Sequence, residues 1–331
     1  MAYSQGGLIT AGDYNTFVGS SPSSTVNTIN TVWAVGSGSA GYGQTAISQV
    51  STAGTITATQ WATLINNLNS MLTHQSGSGS GISAVTAGSR IDYLSTLSSS
   101  IATAYTNRLN FASNSSVTAG TNQTTAWSAT ISNAGSNPPV GATSRTSLTR
   151  SFGIRAAFAS ADQARYFFNS GGRLKLNCSG TQNSSTTART NEIIAMLGFL
   201  GGVATFGANT NGGRTGTGGT LGTNDTAKGY HTSTYNSNVT LVSVTSTTTN
   251  YTADTCSIAV NTNGTQGSNN DRGPNVDFWI TMATNSGTDG TGGAFGFDDS
   301  FGVNVVRSID ISFPETTNLS NTWGAVTITS L

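Results

Sequence analysis

The chain has 331 residues, 13 basic against 13 acidic side chains, and only 8% charged residues. That balance excludes a disordered polyelectrolyte and the dense basic patch that phosphate binding needs, while 35% hydrophobic residues, five of them Trp, supply material for cores. No apolar run approaches the roughly 20 residues that cross a bilayer, and "MAYSQGGLITAGDYN" lacks the charged and apolar regions of a secretory signal.

The expectation is therefore a protein that binds no nucleic acid and inserts in no membrane. A surface of Ser, Thr, Asn and Gly lacks the charge repulsion that keeps free monomers apart, so it suits a subunit covered by its neighbours. Of the 13 basic residues only Lys175 and Lys228 are lysines. Arginine is the cation favoured at interfaces.

The first predicted elements are helices. "DYNTFVG" (13–19) and "STVNTINTVW" (24–33) read as short ones, followed by "GSGSAGYGQ" (36–44), which reads as a flexible loop. In "TATQWATLINNLNSMLTHQ" (57–75), Trp61, Leu64, Ile65, Leu68 and Leu72 recur at steps of three and four behind a cap at Thr57 or Thr59. "HQSGSGSGIS" (74–83) has linker composition. "SRIDYLSTLSSSIATAYTNRLNF" (89–111) repeats the helical stripe through Ile91, Leu94, Ile101, Tyr105 and Leu109, with Ser89 as its cap. Residues 1–111 thus read as a small helical region for anchoring and assembly, and residues 112–331 as a β-rich body.

From about residue 124 the period changes to two. Seven runs read as strands: 147–158, 173–180, 237–249, 254–264, 275–284, 302–313 and 323–331. They predict an α+β chain whose body is an antiparallel β-sandwich, with a hairpin between Val239 and Val260. Two short helices are inserted. Ser160 caps "ADQARYFFN" (161–169), which Gly171 and Gly172 end with a left-handed turn, leaving Tyr166, Phe167 and Phe168 to plug the sheet. The second, "NEIIAMLGFL" (191–200), begins after Thr190. Residues 201–229 have no period and read as a long loop available for contacts.

Chemistry-bearing residues are sparse. His74 and His231 stand in polar loop sequence and read as structural or incidental residues. Glu192 and Glu315 are the only glutamates, and the cluster Asp289, Asp298 and Asp299 fits turn chemistry better than a calcium loop. The Gly-rich "GGRTGTGGT" lacks the strand-to-helix setting of a dinucleotide site. Cys178 and Cys256 read as buried thiols, and the triplets at Asn114, Asn122 and Asn238 follow from composition. No catalytic, metal or cofactor residue is assigned. Trp, Tyr and Asn on a β scaffold also suit sugars.

"MAYSQGGLITAGDYNTFVG", "INTVWAVGSGSAGYGQ", "TATQWATLINNLNSM" and "ARYFFNSGGRLKL" together resemble a family of virion structural proteins of tailed bacteriophages, particularly contractile-tailed marine and cyanobacterial phages. The similarity covers the N-terminal third and the "ARYFFNSGG" segment and fades toward the C-terminus. It implies a virion component of the tail, baseplate or fibre region, with no enzymatic residue to carry over. Symmetric assembly as a trimer or hexamer with other virion proteins is expected, the alternative being a tail-tip protein that binds a receptor or host glycan. The candidate assembly and core residues are Trp61, Leu64, Leu68, Arg165, Tyr166, Phe167, Phe168, Gly171 and Gly172.

Overall fold

Helix signals in the first third of the chain become helices, two of which carry side-chain caps. A computed structural model describes residues 9–22, 25–131, 148–184, 187–248, 251–252, 254–284 and 299–331. Helices α1 (Ala11–Val18), α2 (Ile29–Trp33), α3 (Ala58–Ser76) and α4 (Leu94–Thr106) precede all the described strands. In α3 the Thr57 hydroxyl accepts from the Gln60 N–H at 3.2 Å, and the Gln60 side chain accepts from the Thr57 N–H at 2.8 Å. This reciprocal box satisfies two N–H groups that the helix leaves unpaired. Thr10 and Asp13 repeat it on α1.

α4 is shorter than its sequence pattern. It begins at Leu94 behind Tyr93, which makes no side-chain cap bond, while the Ser89 hydroxyl is engaged with Thr86 in a turn. Ile91 accordingly lies outside the helix. The 74–83 segment is also less of a linker than its composition implies. Helix α3 carries His74 to Ser76, and the Asn69 side chain bonds Ser80 and Ile82 at 2.8 and 2.9 Å, folding the chain back on the helix.

The rest is an α+β fold with a two-sheet sandwich. Its strands are β1 (Asn114–Thr118), β2 (Gln123–Ile131), β3 (Leu148–Phe158), β4 (Arg173–Gln182), β5 (Thr220–Asn224), β6 (Val239–Thr245), β7 (Thr255–Asn263), β8 (Asn275–Thr284), β9 (Asp299–Pro314) and β10 (Val326–Ser330). One sheet is built around β9, which pairs with β4 on one side and with β1 and then β2 on the other. The other sheet runs β10-β3-β8-β7-β6-β5, and all pairings are antiparallel. The Val239–Val260 hairpin forms as β6 and β7.

Strands β1, β2 and β5 go beyond the seven read from the sequence. β5 lies inside the stretch 201–229, so that stretch is partly strand. It also carries the buried Val203 and Phe206 and the bridge from Phe206 to Leu174.

Alternation explains how the sandwich closes. In β7 the buried residues Cys256, Ile258, Val260 and Thr262 alternate with half-buried ones, as a strand with one face on a core must. The sheets meet directly where β3 faces β9 and β2, with Trp127 edge-on to Phe301 and Phe152 at 4.7 and 5.7 Å. Elsewhere helix α6 (Ala188–Leu200) lies between them, touching β4 and β9 of one sheet and β6 and β7 of the other. It starts earlier than its sequence pattern because the Thr187 hydroxyl, not Thr190, caps it. Cys178 and Cys256 are free, buried thiols. One continuous apolar cluster includes Trp61, Leu64 and Leu68 of α3 together with the sandwich interior. No helix among the described residues is long and apolar enough to cross a membrane.

Candidate functional site

Helix α5 (Ala161–Asn169) has two buried faces of opposite chemistry, and the junction between helices and sheets is organised around it. Ser160 caps it through the Gln163 N–H at 3.2 Å. Its apolar face inserts Phe167 and Phe168 into an aromatic cluster. Phe168 stacks on Tyr230 at 4.6 Å and meets Phe206 edge-on, while Phe167 contacts Phe158 at 5.1 Å. These two rings plug the sandwich as expected. Tyr166 does not, because its ring lies against Gly43 and under the Arg165 guanidinium.

The polar face carries Asp162, Arg165 and Asn169, spaced to share one side of a helix. Arg165 is fully buried; its guanidinium donates to the carbonyls of Ala40 at 2.6 Å and Val35 at 2.7 Å and to Asp162 at 2.9 Å. Asn169 donates to the carbonyls of Gly38 and Gly41, both at 3.1 Å. With its N–H groups committed, the Asn169 oxygen accepts from His231 Nε2 at 2.8 Å, which fixes the proton of that imidazole on Nε2. Asn269 closes the ring, its amide donating to Asp162 at 3.1 Å and its carbonyl accepting from the Gly38 N–H at 2.8 Å.

The segment 36–44 is therefore not a flexible loop. Gly36, Gly38, Gly41 and Gly43 all have positive φ, which turns the carbonyls of 35–41 inward onto Arg165 and Asn169. At Gly41, with φ of 99°, an added Cβ would stand 2.0 Å from the Val35 carbonyl oxygen. At the end of α5 only Gly171 takes the left-handed conformation, at φ 88°. Gly172 has a steric role instead, since a Cβ there would be 2.6 Å from the Phe167 ring.

Further bonds extend this seam toward the C-terminus. Gln44 and Ser320 exchange two bonds at 2.9 Å, and the Thr322 hydroxyl donates to the Tyr42 carbonyl at 2.6 Å. Buried Tyr42 donates to the Arg108 carbonyl and accepts from Gln75, both at 2.9 Å. Its neighbour His74, read from sequence as a loop residue, is a buried member of α3 with Nδ1 2.9 Å from Glu315 Oε1.

Burial lowers the His74 pKa against the opposing influence of Glu315. Burial works to raise the Glu315 pKa, but bonds from Asn318, His74 and Thr317 outweigh it and hold it below the usual carboxylate value. His231 is pushed down to about 3, first by burial and then by Arg165, Arg272 and Arg108. Both imidazoles are thus neutral at physiological pH, a signal invisible in sequence because their partners lie 241 and 62 residues away.

The remaining candidates fall in separate places. Trp61, Leu64, Leu68, Arg165, Tyr166, Phe167 and Phe168 are all buried inside this chain, where they hold its own parts together. Glu192 is buried on α6 near the Arg189–Asp254 ion pair, whose nitrogen and oxygen are 2.5 Å apart, and Glu315 belongs to the His74 network. Asp289 and Asp298 lie outside the described residues; Asp299 begins β9. Among the described residues no group of three or more His, Cys, Asp or Glu is placed to hold a metal ion.

Two clefts of about 880 and 410 Å³ open on the helical side, and Arg90 is the charged residue common to both. Most of the seam's polar groups bond one another, while His74 Nε2 and Gln75 Oε1 are buried without a partner, an arrangement that fixes position rather than presenting reactive atoms to a ligand. Comparison with protein-family models, curated proteins and solved structures returned no match for the chain.

Proposed function

We propose that the chain is a non-enzymatic structural subunit of a bacteriophage virion, in the tail, baseplate or fibre, that assembles with copies of itself and with neighbouring virion proteins. The observation that carries this reading is the edge strand β10. It runs along β3 in unbroken register from Val326 to Ser330, and "VTITS" contains no charge and no proline. A protein that stays alone blunts such an edge with lysine, proline or a bulge, because its unpaired backbone groups are a template for another strand. A subunit whose edge is covered in an assembly has no such need.

The scarcity of charge over the whole chain agrees, as does the resemblance of the N-terminal third and "ARYFFNSGG" to virion proteins. In this reading the helices of residues 1–111 anchor the subunit, residues 112–331 form its body, and the Arg165 seam keeps the two in register under load. A trimer or hexamer matches the symmetry of a tail. Immunogold labelling of purified particles with antibody to the recombinant chain tests it. Label at a fixed position on the particle supports the reading, and unlabelled particles overturn it.

A further inference from the structure

The outward side of the six-stranded sheet carries a second kind of chemistry. Trp33, Trp61, Trp127 and Trp323 are buried, whereas Trp279 stands half-exposed on the outer face of β8. Strand register sets Gly153 of β3 and Ala259 of β7 directly beside it. A Cβ at Gly153 would lie 2.9 Å from the indole and 2.7 Å from the Leu331 Cβ, so the ring leans over the glycine beside Leu331, and on the other side its register partner is Ala259.

One row along the sheet, a polar network is already locked in place. Arg155 makes two bonds of 2.7 Å to Asp277. Asn263 donates to Asp277 and to Asn261, both at 2.6 Å, and Asn261 donates to Asn238 at 2.6 Å. On the opposite row the hydroxyls of Ser151 and Thr281 are 2.7 Å apart.

We infer that this face is a binding site for a neutral saccharide, with Trp279 as the stacking platform and the Asn238 and Asn261 amides, held in place by the fully bonded Asn263, as the hydrogen-bonding rim. Charge decides against ionic ligands, since Arg155 and Asp277 neutralise each other within the patch. An apolar partner would strip water from the amides and return no hydrogen bonds. A pyranose ring matches both halves: its C–H face packs on an indole, and its hydroxyls donate and accept toward amides. Because the amides are fixed by one another before a ligand arrives, little ordering cost falls on binding.

The inference stands apart from the virion reading, so labelled particles and a failed sugar site are separable results. The test is an array of neutral hexose and N-acetylhexosamine oligosaccharides with sialylated controls, followed by titration of the best neutral hit through tryptophan emission. Trp279 is the one tryptophan that is not buried, and its emission should change on binding. Trp279→Ala should weaken binding at least tenfold, Trp279→Phe should retain part of it, and Asn261→Ala should weaken it while the chain still unfolds in one cooperative transition. A blank array, a preference for the sialylated controls, or binding unaffected by Trp279→Ala and Asn261→Ala overturns the inference. So does loss of self-association in Trp279→Ala without any sugar binding by the wild type, which would assign the face to a second copy of the chain.

Discussion

Replacing Arg165 by Met keeps the aliphatic stem that packs in the junction and removes the guanidinium. The head makes two short bonds to the carbonyls of Ala40 and Val35 and an ion pair with Asp162. Hydrogen bonds from a charged donor contribute about 1.5–3 kcal/mol each, so the two carbonyl bonds together are worth about 3–6 kcal/mol. Two terms offset each other beyond that. The buried guanidinium no longer has to be stripped of water, but two inward-facing carbonyls lose their donor. Asp162 adds little, since it is partly exposed and keeps Asn269 as a donor.

The expected net loss for Arg165→Met is about 3 kcal/mol, read from urea unfolding, with Arg165→Lys retaining the charge but not the fork and losing about half as much. Hydrogen exchange locates the damage. The Gly38 and Gly43 amides, bonded to Asn269 and Ala34, should exchange faster while the β7–β8 ladder keeps its protection. A loss below about 1 kcal/mol, with wild-type exchange at Gly38 and Gly43, would refute the idea that Arg165 holds the seam.

Gly41→Ala should destabilise by about 2–3 kcal/mol in the same urea assay, because the residue is held at positive φ against a backbone oxygen that side-chain motion cannot relieve. Acid should weaken the fold through His231, whose folded pKa of about 3 lies below the unfolded value near 6.5. The unfolded chain then binds more protons between those limits, so the thermal midpoint should fall as pH drops through that window. His231→Gln, which still donates to Asn169, should flatten the dependence. Glu315, its pKa lowered in the fold, adds a further loss once the pH falls through the carboxylate range. Cys178, pushed up to about 12 by burial, and Cys256, raised by burial first, should resist a disulfide thiol reagent in the native protein and react fully in denaturant.

Local signals in the sequence were enough where the partner is near in the chain. The Thr57–Gln60 box, the Leu64 and Leu68 stripe, the Ser160 cap and the alternation of β7 all lie within a few residues of the features they specify. β5 escaped because "TLGTN" is exposed at every position and so has no buried face to set a period. β2 escaped because Trp127 is its one fully buried side chain among the described ones, set in Thr, Ser and Ala. The glycine segment 36–44 has loop composition, yet its order comes from Arg165, Asn169 and Asn269, more than 100 residues downstream. His74 is a structural residue, but its place in a helix and its carboxylate partner from the far end of the chain are hidden by its polar neighbours for the same reason. Trp279 was visible as a strand residue, but only cross-strand register sets it between Gly153 and Ala259.

Coverage of the chain's surface by other subunits is tested most directly by the mass of the recombinant chain in solution. Light scattering across a concentration series should give a closed multiple of the chain mass, three or six copies, which Thr327→Lys with Thr329→Lys on the exposed side of β10 shifts toward the single chain. A wild-type chain that remains one copy at every concentration would contradict it.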